Sequence, residues 1–362
     1  MLEVADIFRR YGPAYRAQHR LLPSQLKALD DLVRCRTAAC GGQLYRCDHC
    51  GSEHYSYHSC GNRHCPKCHG QQTQRWLEQH QQRLLPCAYF LLTFTVPAEL
   101  RPLLWSHQKD LYGLLLRAAA AALQKLAWDP QYVGGHLAIL AVLHTWTRAL
   151  LYHPHVHLLV SAGGLSADGQ HWHPPKHPAF LVPGFALSKI FCGKFRAGLK
   201  KLGLLAQVPT AVWQAKWVVH CQHAGRGNQV LEYLSRYVCR IAISNSRLER
   251  LENDTVTFSY RDNRTQELKH PQVSAHEFIH RFLQHVLPKG LVKVRTYGLW
   301  AAHHTGKLAQ ARTLLAADSA PSDSALQPSS PAPVRTPPLC PHCKTGHLML
   351  VASLLPQRTR AP

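Results

Sequence analysis

Acidic residues are scarce in this chain: 20 Asp and Glu stand against 42 Lys and Arg, a formal charge of +22 over 362 residues. None of those carboxylates sits at a strand end with matching partners, which argues against hydrolysis by a three-carboxylate metal site. Nor is there any run of about 18 apolar residues, which excludes a spanning helix. The opening residues, MLEVADIFRRYGPAY, include acidic groups and lack an apolar signal-peptide core, so a cytoplasmic, nucleoid-associated location is expected. There is no G-x-x-x-x-G-K-[ST] loop, so the chain is not expected to drive ATP-dependent unwinding itself. Internal repeats and long lysine runs are also missing.

What remains is a chain that is 46% hydrophobic and 17% charged, enough apolar material for a sizeable core. Its basic groups are spread through segments with folding patterns, which points to grooves and patches that meet a polyanion, with nucleic acid the default partner. Without a secretion signal, the 13 cysteines read as metal ligands or buried thiols, not as a disulfide framework.

Four regions are expected. Residues 1–86 combine two helical patterns, Pro23 opening the second, with a Cys/His/Gly-rich segment at 35–70 that cannot build an apolar core alone and calls for a metal. Residues 71–85 read as a polar helix. Residues 87–310 form an α+β unit, with strands at 89–96, 136–145, 155–164 and 217–221 and helices at 105–127, 187–202, 229–242 and 274–288. Ser274 and Glu277 have capping-box spacing, and TVTFSY (255–260) reads as a hairpin arm with RDNRTQ as its turn. Residues 311–339 form an Ala/Pro/Ser-rich flexible linker, and 340–362 a C-terminal CxxC tail.

CDHC (Cys47, Cys50) and CPKC (Cys65, Cys68) have the spacing of a four-thiolate structural zinc site. Cys60 and His64 are alternates for one of the four, and Cys35 and Cys40 read as buried thiols. Arg46, Arg63, Lys67 and Arg75, set beside Tyr45, Tyr55 and Tyr57, suit contacts to DNA phosphates and bases. Cys340 and Cys343 supply half of a second zinc site, with His347 or the pair His303 and His304 as candidates for the rest; thiols without metal are the other reading.

In HPHVHLLVSAGG, strand alternation puts His155 and His157 on one face, where they can hold a divalent ion. His153 extends the row. In LEYLSRYVCR, Tyr233 and Tyr237 are one helical turn apart, as are Arg236 and Arg240. Packed core aromatics are one reading of the tyrosines. The other is phosphoryl transfer, in which a phenol attacks a phosphodiester, a metal withdraws charge from the phosphate and the arginines hold its neighbours.

HVH at 155–157 followed by paired tyrosines resembles the His–hydrophobic–His motif of HUH endonucleases. YRCDHCGSEHYSYHSCGNRHCPKC, LHTW, HPHVHLLVSAGG, YLSRY, AISNSRL and HEFIHRFLQHVLPKG, in this order, resemble the two-tyrosine rolling-circle transposases of the insertion-sequence-91 class over about residues 20–305. The resemblance implies a zinc-binding N-terminal domain and an HUH-like antiparallel sheet set against a tyrosine-bearing helix. It also implies an enzyme that nicks and rejoins single-stranded DNA at transposon ends through a 5′-phosphotyrosine, assisted by Mg or Mn, with unwinding supplied by a host helicase or the replication machinery. His144 is the candidate third metal ligand, with His153 and then Gln229 or Glu232 as alternatives. Asn245 either fixes the turn after the helix or touches DNA. The family often carries glutamine where this chain has Arg148. A zinc-dependent DNA-binding regulator without catalysis is the alternative.

Overall fold

The computed structural model describes residues 1–68, 70, 74, 76, 78, 81, 83–177, 180–226, 229–230, 241–262, 264–317 and 337–357. Two helices open the chain, α1 (Val4–Gln18) and α2 (Pro23–Arg34), followed by a hairpin of β1 (Gly42–Cys47) and β2 (Glu53–Tyr57). Next come β3 (Tyr89–Thr95), α3 (Arg101–Ser106), α4 (Gln108–Ala127), β4 (Ala138–Trp146), β5 (Tyr152–Ser161), and a small pair, β6 (Gly164–Leu165) with β7 (Trp172–His173). Then follow α5 (Gly184–Lys201), β8 (Val218–Gly225), β9 (Leu248–Glu252), β10 (Thr255–Phe258), β11 (Tyr260–Arg261), β12 (Leu268–Lys269) and β13 (Gln272–Ser274). The described chain closes with α6 (Ala275–Leu283), β14 (Val294–Gly298), α7 (Thr305–Ala317) and β15 (Leu348–Leu354).

The architecture is α+β. Its centre is a five-stranded antiparallel sheet of order β14-β4-β5-β3-β8. Because side chains alternate along a strand, one face carries Phe90, Leu92, Phe94, Ala141, Leu143, Val156 and Leu158, buried against Leu115 and Leu123 of α4 and Phe191 and Phe195 of α5. The opposite face carries Leu91, Thr93, His144, His155, His157 and Leu159. One end of this face is closed by α7, through Leu308 and Ala311, and by Trp300.

The N-terminal helices do not stand apart. Phe8 of α1 meets Phe282 of α6 edge-on at 5.1 Å, in an apolar cluster that includes Leu29, Cys65, Cys68, Trp146 and Phe278. The Ser274 hydroxyl accepts from the Glu277 backbone N–H at 3.2 Å, capping α6.

Two expected elements differ in outline. The helix read over 105–127 is broken at His107, so that α3 and α4 turn separately. RDNRTQ does turn a hairpin, but the short one of β11 and β12, while β10 pairs with β9 and β13. The 229–242 segment is described only at its ends, and of 71–85 only scattered positions are described.

Candidate metal centres and DNA-facing cleft

His144, His155 and His157 offer ring nitrogens that all lie within 4.8 Å of one another. The pairing explains how they meet: His144 on β4 stands directly opposite His155 on β5, and His157 follows two residues on, on the same face. The register slips between His144 and Trp146, where His153 and Pro154 on β5 oppose Thr145 alone. This is a β-bulge of the kind that re-aims side chains beside functional sites. It takes His153 out of the group. Its Nδ1 instead accepts from the Arg101 guanidinium at 2.8 Å, and burial together with that positive charge lowers its pKa.

The remaining imidazoles are oriented from behind. His155 donates its Nδ1–H to the His153 carbonyl at 2.7 Å, a bond that puts the lone pair on Nε2. His157 Nδ1 lies 3.0 Å from Thr93 Oγ1 on the neighbouring β3, and Trp146 stacks on His144 at 4.7 Å. Hydrogen bonds on the far ring nitrogen are the usual supports of a metal-binding histidine. The group fits a divalent ion with positions left for oxygen ligands.

The histidines line a cleft of about 650 Å³ that also includes Thr93, Thr95, His220, Gln222, Tyr260, Arg148, Arg261 and Arg264. Among the described residues its one carboxylate is Asp262, which is held down to about 2 by the Arg264 backbone N–H and the Lys269 ammonium, so it stays ionised. Among the described residues, three guanidinium groups against one carboxylate make a cleft suited to phosphates. His220 and Gln222 follow from alternation on β8, a signal the sequence carried in WVVHC and its continuation. Arg261 and Arg264 lie in RDNRTQ, whose residues signal a turn in sequence and carry no separate mark of a phosphate contact.

The cysteines correct an expectation. Cys47, Cys50, Cys65 and Cys68 do not surround one centre: Cys65 and Cys68 group with Cys35 and Cys60, whereas Cys47 and Cys50 group with Cys340 and Cys343. The cause is the β1–β2 hairpin. Cys47 and Cys50 lie at its turn, while the chain leaves β2 toward Cys60 at the Gly42↔Tyr57 end. At about 3.3 Å per residue, the length of β1 keeps the two CxxC pairs roughly 17 Å apart. Thus Cys35, expected to be a buried thiol, is a member of the first group, and Cys60 is a member beside Cys65, not a substitute for it.

In that first group, Cys68 Sγ lies 3.5 Å from Cys35 Sγ and 3.6 Å from Cys60 Sγ. A tetrahedron with Zn–S of about 2.3 Å has edges of about 3.8 Å, so the donors fit zinc. The Cys65 thiol is drawn down to about 5, first by its contact with Cys60, while burial pushes Cys35 up to about 12.

His64 is not a ligand in this arrangement. Its Nε2 accepts from the Leu287 backbone N–H at 3.3 Å, and burial keeps the ring neutral. His303 and His304 are not among the donors grouped with Cys340; His304 Nδ1 donates to the Gly298 carbonyl at 2.9 Å. His347 meets the knuckle through its backbone, its N–H donating to Asp48 Oδ1 at 2.8 Å.

Several basic groups assigned to DNA have structural partners. Arg63 donates to the carbonyls of Leu287, Pro288 and Leu291 at 2.6–3.3 Å, tying the first cysteine group to the loop after α6. Lys67 pairs with Glu3 at 2.5 Å, and Arg46 pairs with Glu53 at 2.8 Å. Asn245 Oδ1 accepts from Val4 N–H at 3.1 Å and so caps α1. Gln229 is exposed. Tyr233, Tyr237, Arg236, Arg240, Glu232 and Arg75 lie outside the described residues.

Residues 138–307 match the family model described as "Putative transposase", and residues 7–96 the IS91-type model described as "Transposase zinc-binding domain". The zinc-binding module and the antiparallel sheet thus belong to a transposase. The chain is 38% identical over 378 residues to "Putative transposase y4qJ" of Sinorhizobium fredii, covering 96% of this chain and 94% of that protein. It is 28% identical over 298 residues to the transposase for insertion sequence element IS801 of Pseudomonas savastanoi pv. phaseolicola, covering 78% and 72%. It belongs to the IS91 family of transposases with an N-terminal zinc-binding domain. No solved structure matches it. Among the described residues, no helix is long and apolar enough to cross a membrane.

Proposed function

We propose that this transposase nicks and rejoins single-stranded DNA at the ends of its element through a 5′-phosphotyrosine, supporting rolling-circle transposition. The observation that carries this reading is the convergence of His144, His155 and His157 in an arginine-lined cleft. The flanks of the tyrosine segment support it. Val230, just before, is fully buried in the apolar cluster of Leu91, Val142 and Leu159, on the histidine face of the sheet. Ala242 and Ile243, just after, are buried in the cluster that contains Trp146. The described residues that flank Tyr233 and Tyr237 in sequence are thus buried in the cluster on the histidine face and in the cluster that contains Trp146.

The three imidazoles would hold a divalent ion, Mg or Mn, which when bound draws charge from the scissile phosphate. Arg148, Arg261 and Arg264 would hold the flanking phosphates and keep the strand in register. The phenol oxygen of Tyr233 or Tyr237 attacks phosphorus and loses its proton to solvent, and the bond to the 3′ oxygen breaks, releasing a 3′-OH. Attack by a 3′-OH on the phosphotyrosine reverses the step and returns the phenol. The phosphodiester energy stays in the covalent bond, so no nucleotide hydrolysis is required, and two phenols permit a second cleavage while the first strand is attached. Strand separation would come from a host helicase or replication at the nucleoid.

Incubating the protein with labelled single-stranded element ends, with and without Mg²⁺ or Mn²⁺, tests this. A covalent adduct should appear on a denaturing gel only with metal, map to Tyr233 or Tyr237, and vanish in the Tyr233→Phe/Tyr237→Phe double variant. Cleavage that persists in that variant would reject the phenol as nucleophile.

A further inference from the structure

We infer that Cys47, Cys50, Cys340 and Cys343 form a second zinc site, a zinc ribbon split across the sequence that clasps the C-terminal strand β15 onto the N-terminal hairpin. Cys47 Sγ lies 3.6 Å from Cys343 Sγ, and Cys50 Sγ lies 3.8 Å from Cys340 Sγ, pairs 296 and 290 residues apart in sequence. These are the edges a ZnS₄ tetrahedron requires, and four thiolates leave no open position for catalysis.

In both halves the residue after the second cysteine is left-handed and backbone N–H groups point at a cysteine sulfur. In CDHCGS, the backbone N–H groups of His49 and Cys50 point to Cys47 Sγ at 3.4 Å, and Gly51, the next residue, has φ +71°. In CPHCKTG, Gly346 N–H points to Cys343 Sγ at 3.3 Å, and Lys344, the residue after the second cysteine, has φ +60°. N–H groups aimed at sulfur stabilise thiolate, the form that binds metal. The halves are also locked together: Asp48 N–H donates to the His347 carbonyl at 3.1 Å. At Gly346 a Cβ would stand 2.6 Å from Cys47 Sγ, so only glycine lets the second knuckle approach.

Packing does not explain why β15 stays. It pairs with β1 from Gly42↔Leu354 to Cys47↔Leu348, yet Met349, Leu350 and Val351 are about half exposed. β2 also lacks a buried residue. A three-stranded sheet with so little buried apolar surface is marginal, and a structural metal is the usual replacement for a missing core. The site does not depend on the nicking chemistry. It also extends beyond the zinc-binding family match, which ends at residue 96.

Zinc content of the purified full chain tests the clasp. Two Zn²⁺ per chain are expected, falling to one in Cys340→Ser/Cys343→Ser and to one in Cys60→Ser/Cys65→Ser. Gly346→Ala should release one zinc to a chelator faster than wild type does. Alkylation of the wild-type chain needs no variant. Cys47, Cys50, Cys340 and Cys343 should resist iodoacetamide until a chelator is added and then react together, at least about tenfold faster. A wild-type chain with one zinc that survives loss of Cys340 and Cys343 overturns the site. So does alkylation of these four thiols at the same rate before and after chelation, including where the serine variant fails to fold.

Discussion

The thiols of Cys35, Cys60, Cys65 and Cys68 come from the end of a helix and from loops, whereas the imidazoles of His144, His155 and His157 stand on two paired strands inside a five-stranded sheet. Both regions gather metal donors, but the scaffold differs. The strands of the histidine site are anchored by a core on the opposite face, so its donors are positioned whether or not an ion is bound. The cysteine module has few apolar residues of its own between 35 and 68, so its shape depends on the ion it collects. The thiol donors thus need an ion to hold their module together, whereas the imidazole donors are held by the sheet.

Removing metal should separate the two most sharply. Stripping zinc from the thiols should unfold the 35–68 segment, since structural zinc contributes on the order of 10 kcal/mol. Circular dichroism and proteolysis would show this, and a chelated chain that keeps its protease resistance there would erase the contrast. At the other site, His155→Ala should lower DNA cleavage at least about 100-fold, equivalent to about 2.7 kcal/mol of barrier, while the melting temperature stays nearly unchanged. A matching loss of stability would mean that the histidines also hold the sheet together.

Subtler changes sharpen the comparison. Thr93→Val keeps a β-branched side chain on β3 but removes the oxygen behind His157, and should weaken divalent-metal affinity by about 10–100-fold in a titration. Unchanged affinity would show that strand pairing alone orients the ring. His285 tests the floor beneath the β4–β5 turn. Burial lowers its pKa to about 4, and its Nε2–H donates to the Leu150 carbonyl at 3.2 Å. Against an unfolded value of about 6.5, the unfolded chain binds the extra proton. This contribution is therefore complete above about pH 6.5 and declines as pH falls toward 4. Between pH 7.5 and 5.5 it amounts to about 1 kcal/mol, measurable as a urea midpoint, and His285→Gln should flatten that slope. Ser274→Ala should cost about 1 kcal/mol through loss of the α6 cap, with no effect on either metal centre.

Much of the local structure was legible in the residues. Alternation in HVHLLV placed His155 and His157 on one face, the apolar strand 89–96 begins and ends within a residue of β3, and Ser274 caps the helix its spacing promised. His153 shows the limit: counting by twos includes it in the row, but Pro154 and the bulge hand it to Arg101. Arg63 and Lys67 look like DNA contacts in sequence because charge is visible there and partners are not. Their carbonyl and carboxylate acceptors lie in other elements.

From its order of residues alone, the chain settled its basic character, its store of thiol and imidazole donors and the phase of its strands, because charge and side-chain alternation are local properties. Folding decided which donors share a centre. Cys47 finds Cys343 across 296 positions, and His144 finds His155 across a strand pairing. A metal responds to distances in space, and those are set by hairpin length, register and core packing, none of which a motif spells out.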